Sequence, residues 1–228
     1  MSFPSPNCGE RRGGVRPDLV VIHYTAMAGV AEARARLCDP AHEVSAHWLI
    51  GADGAVEQLV DEAQRAWHAG AGAWGAVTDV NSRSIGIELD NPGAQPFPEP
   101  QMAALERVLA GIMARWGIPP ERVIGHSDMA PERKCDPGAR FDWRRLARVG
   151  LSVWPSDGVG DPAAGRSGGR LAAFVGHARR FGYPAVEEDL ILRAFRLRFR
   201  PWAEGPVDAV DEALAADLAA RFPVDGPA

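Results

Sequence analysis

Three short apolar runs, each closing on a residue that can do chemistry, constrain this chain more than any other feature. Leu19-Val-Val-Ile22 is continuous and β-branched, runs into His23, and reads as a central strand covered on both faces. Ser84-Ile-Gly-Ile-Glu88-Leu89 alternates, with Ile85, Ile87 and Leu89 on one face and Gly86, Glu88 and Asp90 on the other. A carboxylate on the inner reach of such a strand needs a reason. Val123-Ile124 forms the third run, ends at His126, and returns through a Pro- and Gly-punctuated loop to Lys134, Cys135 and Asp136. In an extended segment Lys134 and Asp136 point one way and Cys135 the other.

Helical patterns separate these strands. Val30 to Leu37 is rich in Ala, Glu, Arg and Leu and is stopped by Asp39-Pro40. Met102, Leu105, Leu109, Ile112, Met113 and Trp116 recur at three- and four-residue spacing before Gly117, which predicts an amphipathic helix. Ser45 to Ile50 and Val56 to Val60 read as a hairpin turning at Asp53-Gly54. Residues 3 to 18 read as an irregular arm, and the Gly/Ala-rich stretch after Ala66 as a loop without regular structure. Strands alternating with helices predict an α/β domain over residues 1–155. A Gly-, Pro- and Ser-rich linker is expected over 156–169, then three short helices over 170–228, a unit small enough to need packing on the larger one. The Arg-rich patch from Arg193 to Arg200 reads as an exposed helix face.

Charge and composition exclude several classes. A formal net charge of -5 argues against a nucleic-acid surface, which needs clustered Lys and Arg. No stretch is apolar for long enough to cross a bilayer, and the first residues lack the apolar core of a signal peptide. Three cysteines, Cys8, Cys38 and Cys135, make no disulfide framework and favour a reducing compartment. Cytoplasmic location is therefore expected, with the periplasm as runner-up, and the chain is expected to be a monomer.

His23, His126 and Asp136 offer two imidazoles and a carboxylate, a donor set suited to zinc with a fourth position open for water. Zinc lowers the pKa of bound water to about 7. Glu88 is the candidate base for that water, and Lys134 the candidate to stabilise an oxyanion. Other readings stand beside these. Asp136 before Pro137-Gly138 can shape a turn, Glu88 can pair with an arginine, and Cys135 is a softer zinc ligand than its neighbour. His47 and His68 are the other possible ligands, with His47 better suited to lining or supporting the cleft. His42 and His177 lack supporting partners.

Val-Ile-His23-Tyr-Thr, Val44-Ser-Ala-His-Trp-Leu-Ile50, Ser84-Ile-Gly-Ile-Glu88-Leu, Gly125-His126-Ser-Asp and Lys134-Cys-Asp136-Pro-Gly occur in this order. Together they resemble the zinc-dependent N-acetylmuramoyl-L-alanine amidases of the AmpD and AmiD type, relatives of phage T7 lysozyme and the peptidoglycan recognition proteins. The resemblance spans roughly residues 5 to 150. It implies a central mixed β-sheet flanked by helices, with His23, His126 and Asp136 as Zn2+ ligands, Glu88 as the catalytic glutamate and Lys134 as the lysine near the metal. It also implies a muropeptide or peptidoglycan substrate, cut between N-acetylmuramic acid and L-alanine. The C-terminal segment resembles the three-helix peptidoglycan-binding module of AmiD-like members, although Arg196 stands where that module commonly has glutamine. Two rivals remain. A recognition protein that binds muropeptides without cutting them typically lacks the full ligand set, and a stem-peptide zinc peptidase would call for the absent His-Glu-x-x-His segment.

Overall fold

The computed structural model describes residues 5–159 and 170–224. Most of the expected linker, residues 160–169, therefore lies outside the described residues. The described chain runs through β1 (Cys8–Gly9), β2 (Leu19–Tyr24), α1 (Val30–Cys38), β3 (Trp48–Ile50), β4 (Val56–Gln58), β5 (Arg65–Ala66), α2 (Val80–Arg83) and β6 (Ser84–Leu89). It continues with α3 (Glu99–Trp116), β7 (Val123–Gly125), α4 (His126–Met129), α5 (Trp143–Arg148), α6 (Arg170–Phe181), α7 (Glu188–Phe199) and α8 (Ala209–Arg221).

The five-stranded sheet is mixed, in the order β4-β3-β6-β2-β7. β2 lies centrally, parallel to both β6 and β7; β3 is parallel to β6, and only the edge strand β4 is antiparallel. The continuous apolar run of β2 has the reason anticipated for it: Leu19 to Ile22 is wholly buried because helices cover both faces. Val20, Ile22, Ile85, Ile87 and Val123 pack on one face against Met102, Leu105, Leu109 and Ile112 of α3 and Leu146 of α5. Leu19, Val21 and Ile124 point to the other face, into a core shared with Phe174 and Phe181 of α6, Ile191, Phe195 and Phe199 of α7, and Leu214 and Leu218 of α8. The C-terminal helices thus share one apolar core with the sheet.

Several local expectations need correction. The strand expected from Ser45 begins only at Trp48, and the one expected to reach Val60 ends at Gln58. His47 lies just before β3, where its side chain is taken up by other contacts. The arm expected to be irregular meets the residues just before the Gly/Ala loop in a short antiparallel ladder, with Cys8 opposite Ala66 and Gly9 opposite Arg65.

The Arg-rich patch of α7 is exposed at Arg193 but not along its length. Arg196 and Arg198 are buried, at 7% and 2% exposure, because carboxylates far away in sequence meet them. Arg198 Nη1 donates to Asp128 Oδ2 at 2.8 Å and Nη2 to the Val123 carbonyl at 3.1 Å, with the guanidinium 4.3 Å from the Trp143 ring centre. Tyr183 donates its hydroxyl to Asp128 Oδ1 at 2.7 Å, and Asp128 Oδ2 accepts the Gly125 N–H at 2.8 Å. Arg196 pairs with Asp211 and donates to the carbonyls of Gly205 at 2.7 Å and Pro206 at 2.9 Å. Arg198 thereby fastens α7 to β7 and the turn that follows it, although its Nε finds no partner, while Arg196 holds α7 to α8 and the loop before it.

Candidate functional site

Parallel register builds the site. His23 stands opposite Glu88 in the β2/β6 pair, and Ile22 stands opposite Gly125 in the β2/β7 pair, so His126 follows at the same level. Three chemically capable residues therefore form a row across the carboxyl ends of three parallel strands, where open α/β sheets place their ligands. His126 is the first residue of the one-turn helix α4 and not the end of a strand. That turn swings its ring back toward β2, where the two Nδ1 atoms of His23 and His126 lie 2.9 Å apart.

Asp136 completes the group. Its Oδ2 is 3.1 Å from each Nδ1 atom. Among the described residues this trio is the one set of His, Cys, Asp and Glu side chains whose donor atoms converge closely enough for a metal ion, and all three residues are buried. The loop reaches this arrangement by tight turns and not by an extended strand: the Lys134 N–H bonds back to the Ala130 carbonyl at 3.0 Å, and Ser127 N–H to the Asp136 carbonyl at 2.9 Å. Strand alternation therefore does not set the side chains here; Cys135 lines the cavity outside the trio, with the Tyr24 hydroxyl 3.2 Å from its Sγ. Lys134 lies half-buried on the cavity wall.

The donor chemistry fits a cation. His126 Nε2 lies 3.0 Å from the Ala69 carbonyl, which can only accept, so Nε2 carries the hydrogen and Nδ1 presents a lone pair. That lone pair faces the carboxylate of Asp136 and a second imidazole nitrogen, an arrangement that repels itself unless a positive ion sits among the three. Tetrahedral zinc with such ligands separates its donor atoms by about 3.3 Å, close to the spacing here. Without a cation, burial and the facing His126 push the His23 pKa down to about 4. Burial by itself would raise Asp136, yet the two imidazoles hold its carboxyl well below the usual carboxylate range.

Glu88 lies on the floor of the same cavity. Its Oε2 is buried without a hydrogen-bond partner, and burial, reinforced by Asp136, pushes its pKa up to about 8. An arginine partner, the structural alternative for this residue, is absent from its surroundings among the described residues. The cavity holds about 410 Å³ and is lined by His23, Tyr24, Arg36, His68, Glu88 and Lys134, among others.

His47 and His68 stay outside the ligand trio. His47 Nδ1 accepts the Gly86 N–H at 2.9 Å and its Nε2 lies 3.1 Å from the Gln64 carbonyl, so it ties the middle strand β6 to the loop before β5; burial and Arg11 push its pKa down to about 3. His68 stacks above Gly86, where a Cβ would come within 2.4 Å of its ring. Its Nδ1 lies 3.0 Å from His23 Nε2. The contributions of Ala69, through a backbone carbonyl, and of Asn81, which anchors the loop, left no pattern in the sequence.

Residues 13–139 match the family described as N-acetylmuramoyl-L-alanine amidase. The chain belongs to that family. Amidase AmiD of Escherichia coli is 36% identical over 92% of this chain and 85% of its own length. Its structure in complex with the substrate anhydro-N-acetylmuramic acid-L-Ala-D-γ-Glu-L-Lys superposes with a TM-score of 0.84, at 34% identity over 93% of this chain and 92% of that one. The AmpDH3 structure from Pseudomonas aeruginosa in complex with anhydromuramic pentapeptide gives a TM-score of 0.81, at 31% identity over 93% of this chain and 95% of that one. The 1,6-anhydro-N-acetylmuramyl-L-alanine amidase AmpD of Enterobacter cloacae is 35% identical over 63% of this chain and 86% of its own length. This amidase is therefore a hydrolase of peptidoglycan turnover, with a peptidoglycan fragment as substrate and a metal-competent trio in its cavity.

Proposed function

We propose that this amidase hydrolyses the bond between the lactyl group of 1,6-anhydro-N-acetylmuramic acid and L-alanine, with zinc held by His23 Nδ1, His126 Nδ1 and Asp136 Oδ2. The observation that carries the reading is the convergence of those three atoms in a cavity also lined by Glu88, whose Oε2 is buried without a hydrogen-bond partner. Bound there, zinc supplies Lewis acidity to the amide carbonyl and to the attacking water. Glu88 takes the proton from that water and returns it to the amine of the departing alanine. Zinc in the trio would draw this carboxyl down from the value of about 8 it has without metal, leaving a carboxylate that can accept the water's proton close to neutrality. The half-buried Lys134 ammonium faces the same cavity and stabilises the oxyanion as the carbonyl carbon becomes tetrahedral. Arg36 on the cavity wall offers a charge for the stem-peptide carboxylates.

The relatives' anhydro-muropeptide ligands support the 1,6-anhydro form as substrate. The unpaired thiols of Cys8, Cys38 and Cys135 support a reducing, cytoplasmic setting and a recycling role. Residues 1–155 are the catalytic unit in this reading. The helices of 170–228 act chiefly as its support, because Arg196, which stands where the binding module commonly has glutamine, is spent on Asp211, Gly205 and Pro206.

Metal content and turnover measured on the same preparations test the assignment. The wild type should carry one zinc per chain and release peptide beginning at L-alanine. Glu88→Ala should keep the zinc and lose turnover, whereas Asp136→Ala should lose both. Normal turnover by Glu88→Ala removes Glu88 from the mechanism, and full zinc content in Asp136→Ala removes Asp136 from the ligands.

A further inference from the structure

The far nitrogens of both imidazole ligands go to one short loop. His23 Nε2 lies 3.0 Å from Nδ1 of His68, and His126 Nε2 lies 3.0 Å from the carbonyl oxygen of the next residue, Ala69. A metal-bound histidine is oriented by the partner of its other nitrogen, so one dipeptide stands behind two ligands.

The hydrogens along this chain are determined by its last acceptor. Ser84 Oγ donates to the Val80 carbonyl at 2.5 Å, which uses its one hydrogen. Toward His68 Nε2, 3.2 Å away, Ser84 can then only accept, so His68 carries its hydrogen on Nε2 and offers a lone pair on Nδ1. His23 fills that lone pair with its own Nε2–H and is left with a free lone pair on Nδ1, the atom that faces His126 and Asp136. His126 reaches the same state directly, through the Ala69 carbonyl.

The loop is itself held in place. Asn81 Oδ1 accepts the N–H of His68 at 3.0 Å and of Ala69 at 2.8 Å. Arg133 donates to the carbonyls of Ala69 and Ala71 from the opposite side. Gly86 leaves the space in which the His68 ring lies against the sheet. These contacts converge on the loop that meets the two imidazole rings.

We propose that His68-Ala69, anchored by Asn81, is a template that sets the tautomer and orientation of both imidazole ligands, making His68 and Asn81 positioning residues for the metal. This inference rests on the reading of His23, His126 and Asp136 as ligands. The template acts before substrate arrives, so its effect is on metal affinity and ligand field and not on substrate binding.

The test is zinc affinity by competition with a chromophoric chelator, together with the visible d–d spectrum of the cobalt-substituted full chain. His68→Leu, which removes the acceptor for His23, should weaken zinc binding by about 10- to 100-fold and shift the cobalt bands. His68→Gln, which keeps an acceptor, should recover most of the affinity. Ser84→Ala should give a smaller loss in the same direction, and covers the case in which His68→Leu does not fold. Wild-type affinity and an unchanged cobalt spectrum in a folded His68→Leu, or in Ser84→Ala should His68→Leu not fold, would overturn the template. If the wild type takes up no zinc, or Asp136→Ala binds it as tightly as the wild type, the ligand assignment fails instead, and the two failures are told apart.

Discussion

In the metal-free protein Glu88 should cost stability in a pH-dependent way, and Glu88→Gln should remove that cost. The carboxyl is surrounded by the sheet and the cavity floor, Oε2 has no partner, and its pKa rises from an ordinary 4.5 to about 8. Below pH 4.5 the group is protonated in folded and unfolded chains alike and contributes no difference. As pH rises through 4.5 the unfolded chain releases its proton while the folded chain holds on until about 8, so stability falls across that window and levels off above it. At about 1.4 kcal/mol per pH unit the limit is about 5 kcal/mol. Water entering the cavity reduces this, and an advantage of about 1 to 3 kcal/mol for Glu88→Gln at pH 8 is the expected result.

Urea denaturation of chelator-treated wild type and variant between pH 4.5 and 8.5 measures this difference, and the comparison cancels every group the two proteins share. The gap should grow with pH and shrink again when zinc is restored, because a nearby cation stabilises the carboxylate. A gap that stays flat with pH would refute the claim that Glu88 is a strained, uncompensated acid.

Arg198→Met should destabilise the protein by about 3 to 5 kcal/mol, because it leaves Asp128 charged and buried behind the His126 turn; chemical denaturation measures it. Lys134→Ala should keep zinc and lower kcat by about 10²- to 10³-fold with a smaller change in KM, measured by steady-state kinetics on a muropeptide. Glu62→Gln should cost stability at neutral pH and lose that cost in acid. Burial would raise the Glu62 carboxyl, but hydrogen bonds from Arg115, Trp116 and Trp48 bring it net below the ordinary value. The stability it contributes is therefore present above the ordinary pKa of 4.5 and disappears as pH falls through the lower folded value, which acid titration of both proteins followed by fluorescence detects.

The strand cores and the amphipathic helix α3 are legible in the sequence because burial on a sheet or helix writes a local period of apolar residues. The site residues are legible for a related reason: a histidine or glutamate closing an otherwise apolar strand breaks that period. Register is not local. Nothing between Leu19 and Leu89 states that His23 will stand beside Glu88, which follows only from how β2 and β6 pair. The burial of Arg196 and Arg198 escapes periodicity for the same reason, since hydropathy counts them as surface and their partners Asp211 and Asp128 lie elsewhere in the chain. Ala69 acts through its carbonyl, and a backbone atom leaves no trace in residue type.

Zinc dependence is tested most directly by following peptide release from a 1,6-anhydro-disaccharide tripeptide by mass spectrometry in wild-type protein, in chelator-treated protein and after zinc is returned. Zinc-dependent hydrolysis at this trio should release a tripeptide beginning at L-alanine, abolished by the chelator and restored by one equivalent of zinc. Release that continues undiminished in protein shown to be metal-free would contradict it.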